Sequence, residues 1–132
     1  GVSVYRCSGV AVCPFKEAKK AVSDMKIYDY QDSEVYQKAF EFQQSIFHVS
    51  QQFPKEELFS LTDQIRRSSR SVGACIAGAW EKRRYVNHFR SKLSDALSEH
   101  AETKHWLCTA RACEYVDVGT YSDLESSHGE LR

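Results

Sequence analysis

Residues 65–85 read IRRSSRSVGACIAGAWEKRRY. This run sets a seam of small residues between two arginine clusters, Arg66, Arg67 and Arg70 on one side and Arg83 and Arg84 on the other. A glycine inside a helix costs about 1 kcal/mol relative to alanine. Gly73 and Gly78, with Ala74 and Ala77 beside them, therefore predict a backbone that another helix approaches closely. The flanking guanidinium groups must face water, an acidic partner or phosphate. That mixture points to assembly and binding rather than to catalysis.

At about 100° per residue, Leu61, Ile65, Val72, Ile76 and Ala79 share one stripe with Ser68, Ser69 and Cys75 at its edges. The spacing predicts a helix from about residue 60 to 82 or 83, with this stripe in the core. Arg66, Arg70 and Arg84 share a flank and Arg67 lies on another side. Lys82 and Arg83 sit where the helix ends, a place where cations also complement the helix dipole.

Outward from this helix the period stays helical. Asp32 or Ser33 is a suitable N-cap for a first helix carrying Val35, Ala39, Phe42, Ile46, Val49 and Phe53 at three- and four-residue steps. Pro54 stops it, because the residue before a proline is pushed out of the helical region. A third helix over about 86–115 carries Phe89, Leu93, Leu97, Ala101, Cys108 and Ala112 along one side. Asp95, Glu99 and Glu102 lie opposite with Trp106 among them. That tryptophan reads either as an interface anchor or as a partly covered surface aromatic. After Val118 and Gly119, TYSDLESSHGELR offers a single apolar step, Leu124 to Leu131, and Gly129 interrupts it. The expected fold is therefore all-α, an up-and-down antiparallel four-helix bundle whose fourth helix is short or truncated. Such a bundle exposes a groove that further chain or another protomer would fill.

With 132 residues and 42% apolar composition, one core is the expectation. Residues 25–132 form the expected bundle domain. Residues 1–24 differ in character, with two cysteines and a break at Pro14, and Met25 is the only methionine. They read as a vector-derived remnant or a translated upstream segment, with a true N-terminal extension as the alternative. Formal charge is zero, yet residues 64–92 hold eight cations, Arg66, Arg67, Arg70, Lys82, Arg83, Arg84, Arg90 and Lys92, against Glu81 alone. The stretch thus carries +7, and the remainder −7. A basic patch of this kind attracts nucleic acid or an acidic protein surface.

The five cysteines form no C-x-x-C pair and are odd in number, which fits neither a disulfide framework nor a zinc site. Reduced thiols in a cytoplasmic protein are expected. No stretch approaches the roughly 20 apolar residues of a membrane helix, and the N-terminal segment lacks a signal-peptide hydrophobic region. Glu102 to His105 and Glu125 to His128 have the Glu-x-x-His spacing of dinuclear metal bundles. Such a site needs inward-facing ligands from four helices, however, and Glu102 points away from the apolar side. No catalytic triad signature, phosphate-binding glycine loop or nucleotide motif is present, so no enzyme activity, metal or cofactor is expected. His48, His88 and His100 are expected at the surface or the edge of the core.

Five segments together resemble a known family: VYQKAFEF at 35–42, LTDQIRRSSRSVGACIA at 61–77, AWEKRRY at 79–85, HFRSKLSDA at 88–96 and ETKHWL at 102–107. Over about residues 28–123 the chain is similar to the four-helix-bundle proteins encoded in ribosomal RNA intervening sequences. Their relatives include the accessory variability protein of diversity-generating retroelements. The resemblance implies a cytosolic, non-enzymatic bundle that forms a homopentamer, with nucleic acid and a reverse transcriptase as partners of the retroelement member. The family usually has glutamate where this chain has Gly78, and a full fourth helix.

The residues for nucleic-acid binding are then Arg66, Arg67, Arg70, Lys82, Arg83, Arg84, Arg90 and Lys92. Those for an oligomer interface are Gly73, Ala77, Trp80, Asp95, Glu99, Glu102 and Trp106. The expected partners are further copies of the chain, RNA or DNA, or another protein, and no membrane. For Arg66, Arg67 and Arg70, pairing with acidic residues within the bundle or across protomers stands beside phosphate binding.

Overall fold

A computed structural model of the chain describes residues 27–131. The segment 1–24 lies outside the described residues. Among those described there is no strand, and the order of helices is α1 (Glu34–Ser50), α2 (Leu61–Glu81), α3 (Val86–Ala112) and α4 (Val118–Gly129). Short 3-10 turns at Tyr30–Asp32 and Lys55–Glu57 precede α1 and α2. α1 ends at Ser50, short of the Phe53 expected on it, and turns lead from there to Pro54, whereas α2 matches its predicted span to within two residues.

Cross-helix contacts give the directions. Arg66 meets Ser50 whereas Arg70 meets Phe47, so α2 runs against α1. Ser68 meets Thr103 and Gly78 lies against Lys92, so α3 runs against α2. His100 pairs with His128, and Lys104 with Glu125, so α4 runs against α3. The chain is an up-and-down antiparallel bundle whose fourth helix is the shortest.

The predicted α2 stripe is buried throughout, with Leu61, Ile65, Val72, Ile76 and Ala79 each no more than 8% exposed. The core has two parts. The larger joins Phe42, Ile46, Phe53, Leu61, Ile65, Leu107, Ala110, Val116 and Leu124 from all four helices and their loops. The smaller joins Ala39, Val72, Ile76 and Ala96, with Leu131 reaching both. α4 supplies Leu124 to the larger part alone, so the end where α2 passes into α3 is built from fewer helices.

Several expectations need correction. Val35 is exposed rather than buried. On α3 the buried positions are Ala96, His100, Thr103, Leu107 and Ala110, whereas Leu97, Ala101, Cys108 and Ala112 are exposed. The inward face is thus rotated by about one residue from the predicted one. The reason lies across the interface. Thr103 and Ser68 hydroxyls bond at 2.9 Å, with the carbonyls of Glu99 and Ile65 as further acceptors. Small and polar side chains with satisfied bonds let α2 and α3 come close, where Leu97 would hold them apart.

α3 stops at Ala112, three residues before its predicted end. Glu114 takes a left-handed φ of 62°, Glu114 N–H bonds the Arg111 carbonyl and Tyr115 N–H bonds the Ala110 carbonyl. This is a Schellman turn without its usual glycine. It delivers Tyr115 onto Phe53, with ring centroids 5.8 Å apart. Asp117 then caps α4 by accepting from Thr120 N–H at 2.6 Å, bonds to the charged carboxylate that hold the Asp117 pKa below its ordinary value. Gly129, expected to interrupt the last helix, is its final residue.

Candidate nucleic-acid interface

Arg66 and Arg70 lie one turn apart on α2, and both guanidinium groups sit over the ring of Phe47 on α1, at 4.8 and 5.5 Å from its centroid. Arg66 Nε also donates to Ser50 Oγ at 2.7 Å, and the Ser50 hydroxyl donates in turn to the Phe47 carbonyl. The pair is therefore held by an aromatic face and a hydroxyl rather than by a carboxylate. Burial first, and the neighbouring Arg70 charge second, push the Arg66 pKa below its ordinary value. Arg67 points elsewhere and meets Asp63 at 3.7 Å, an exposed pair one turn away on the same helix. Among the described residues, it alone of the eight cations has a carboxylate within salt-bridge distance.

The second cluster forms the α2–α3 end. Arg83 lies over the Trp80 indole, 4.3 Å from the ring centroid, and its Nη1 donates to the Trp80 carbonyl at 2.8 Å. Lys82, Arg84 and Arg90 are exposed around it. The first turn of α3 has no acidic residue and Tyr85 provides no side-chain cap, so the positive end of the helix dipole adds to the local potential. Lys92 reaches back across α2, and a Cβ on Gly78 would meet its Cε at 3.0 Å. The glutamate usual at position 78 in the resembling family would thus stand against this ammonium group.

The residues expected at an oligomer interface are spread over different environments. Gly73 is buried, with the Tyr36 ring 3.5 Å from where its Cβ would be, so that glycine serves the approach of α1 to α2. Ala77 and Trp80 are half-buried. Asp95 and Glu102 are exposed on α3 and Glu99 is half-buried between them. Burial raises the Glu99 carboxyl pKa, Glu102 raises it further by charge and hydrogen bonding, and Arg67 opposes the shift. Trp106 packs against the larger core and donates its indole proton to Glu102 at 3.3 Å, so it is half-covered by its own chain.

One feature was not legible from the residues. His100 and His128 are 4% and 5% exposed and stack with centroids 3.5 Å apart and planes 5° from parallel. Each Nε2 lies 2.9 Å from the other residue's main-chain carbonyl. Phe42 presents its ring edge-on to both. This reciprocal clasp joins α3 to α4 and corrects the expectation of His100 at the surface or the edge of the core. His105, by contrast, is exposed beside Trp106. Among the described residues no group of three His, Cys, Asp or Glu side chains could hold a metal ion. Nor does any helix among them have the length and apolarity to cross a membrane.

Fold and surface together define a helical-bundle protein with an acidic row on α3 and a basic surface along α2 and its far end. Its family is identified by the match of residues 31–132 to the family described as 23S rRNA-intervening sequence protein, and the chain belongs to that family. No match to the chain is found among curated proteins.

Proposed function

We propose that the chain is a non-enzymatic, self-assembling cytoplasmic bundle that acts as a nucleic-acid-binding or adaptor accessory protein through the basic surface of α2. The observation that carries this reading is the Arg66–Arg70 pair on Phe47. Two like charges crowded on one ring repel each other, and no carboxylate among the described residues neutralises them. A phosphate would relieve both, and it releases condensed counterions from the nucleic acid as it binds. Lys82, Arg83, Arg84, Arg90 and Lys92 extend the same surface. Repetition of the bundle around a symmetry axis, as in the pentamer implied by the resemblance, would turn weak phosphate contacts into useful affinity.

A second reading has its own observation. The raised Glu99 carboxyl beside Glu102 is an acidic site crowded in the same way, so a neighbouring protomer could pair Arg66 and Arg70 with Asp95, Glu99 and Glu102. The protein would then be a structural homo-oligomer. Light scattering at low and high salt, with and without mixed-sequence RNA or DNA, separates the two. Charge reversal at Arg66 and Arg70 that abolishes nucleic-acid binding while the oligomer persists supports the first reading. Dissociation of the oligomer by the same variant supports the second.

A further inference from the structure

The α2–α3 end is the least covered part of the fold. Every residue from Glu81 to His88 is exposed, and Tyr85 retains 64% exposure. Its main chain is nonetheless pinned. Arg83 N–H bonds the Trp80 carbonyl, Tyr85 N–H bonds the Lys82 carbonyl at 2.9 Å, and the Tyr85 carbonyl accepts from Phe89 N–H at 2.9 Å. The Tyr85 ring is thus carried into water on a fixed backbone, with the His88 ring 5.9 Å away. Two residues earlier in the chain than Tyr85, the Arg83 guanidinium is laid on Trp80. Lys82, Arg84 and Arg90 are exposed within the same short stretch, and Glu81 is the only carboxylate between residues 80 and 92.

Exposed ring faces among cations suit one ligand chemistry better than the others. Bases of a single strand have free π-faces that stack on aromatic side chains or on arginine planes, whereas in a duplex those faces are already covered. An acidic peptide would use the cations and leave the Tyr85 ring idle. The Arg66–Arg70 pair, about 20 Å back along α2 from its end at Glu81 at the helical rise, offers charge but no exposed aromatic ring like Tyr85, since Phe47 is half-buried beneath it. Discrimination between strand types therefore belongs to the α2–α3 end.

We propose that this end is a single-strand-selective site, in which a base stacks on Tyr85, a neighbouring base meets the Arg83–Trp80 pair, and Lys82, Arg84 and Arg90 hold the phosphates. The proposal rests on the nucleic-acid reading above and deepens it. Fluorescence anisotropy with a labelled mixed-sequence single strand and the corresponding duplex tests it. The single strand should bind more tightly. Tyr85→Ala should weaken the single strand about tenfold and leave the duplex unchanged, and Tyr85→Phe should retain binding. A circular dichroism melt of each variant checks the fold, which an exposed side chain should not alter. Equal binding of both strand types, or a Tyr85→Ala variant as good as the parent, would overturn the inference while leaving the basic-surface reading intact. Loss of all nucleic-acid binding in the parent protein would overturn both. A polyglutamate peptide that competes fully and is indifferent to Tyr85→Ala would assign the end to an acidic protein instead.

Discussion

Replacing Arg66 and Arg70 together with glutamine measures whether the stacked guanidinium groups serve phosphate. Seven of the eight cations in residues 64–92 have no carboxylate within salt-bridge distance among the described residues. On a single strand, each cation that neutralises a phosphate adds about 0.7 to the slope of log affinity against log salt. The seven together bound that slope near roughly 5, and loss of two should lower it by about 1.4. The fold should tolerate the change. Two cation–π contacts over one ring contribute about 0.5–1 kcal/mol each and the Arg66–Ser50 bond about 1 kcal/mol, with relief of the mutual repulsion as an offset. Urea denaturation should therefore show a loss of no more than about 3 kcal/mol. Phe47→Leu is the companion variant, since it removes the ring but keeps both charges. Its slope should match the parent while its affinity falls a few-fold, because the guanidinium groups are no longer held together. Anisotropy titrations over a salt series provide both quantities. A slope that R66Q/R70Q leaves unaltered would refute the reasoning and assign the pair to the fold or to a protomer contact.

Substitutions at three further positions test the physical account. Glu99 has a folded-state pKa above its unfolded value, so the ionised carboxylate opposes folding and stability rises as pH falls through the carboxyl range. Glu99→Gln should accordingly raise the melting temperature at neutral pH, with a gain that shrinks towards pH of about 4, in thermal melts of parent and variant. Glu114→Gly removes the strain of a left-handed φ at the expense of a more flexible unfolded chain. It should stabilise by about 0.5–1 kcal/mol in urea, and Glu114→Ala should not. Gly78→Ala should gain up to about 1 kcal/mol of helix propensity, because the atom its Cβ would crowd is the movable end of Lys92. Gly78→Glu should gain more at low salt than at high salt through a new pair with that ammonium group.

Much of the fold was legible because α2 carries a clear 3.6-residue stripe and proline and N-cap signals punctuate the chain. All-α class, helix order and the short fourth helix followed from these, and the family match agrees with the segments that suggested it. The inner face of α3 was not legible. It is lined by alanine, threonine and histidine, whose burial depends on hydrogen bonds to α2 and α4, while the larger Leu97 faces outward. Hydrophobicity along one helix carries no trace of a hydroxyl 35 residues away. Likewise His100 and His128 become core residues only because antiparallel packing brings each ring to the other's carbonyl. At the basic surface, the charge excess was visible from composition. The role of Phe47 was not, since it lies outside the apolar positions read along α1.

The two charged faces share a property that bears on the choice between readings. Burial first, and a like-charged neighbour second, disfavour the charged form on both faces, Arg70 acting on Arg66 and Glu102 on Glu99. Each face is crowded with like charge, although a local exchange of one arginine for one carboxylate would have relieved both. Arg67 makes a partial offset on the acidic side through its influence on Glu99. A homo-oligomer sealed by these charges would relieve both faces at once, so Glu99→Gln would stabilise the isolated fold yet weaken assembly, and would do so most at low salt. Nucleic acid relieves only the basic face. On that reading Glu99→Gln stabilises the fold, leaves the oligomer mass unchanged and removes a repulsive charge from the approach of a polyanion, which raises the association rate at low salt. The same conservative substitution thus moves assembly in one case and association in the other, and light scattering beside stopped-flow binding tells which face the charge segregation serves.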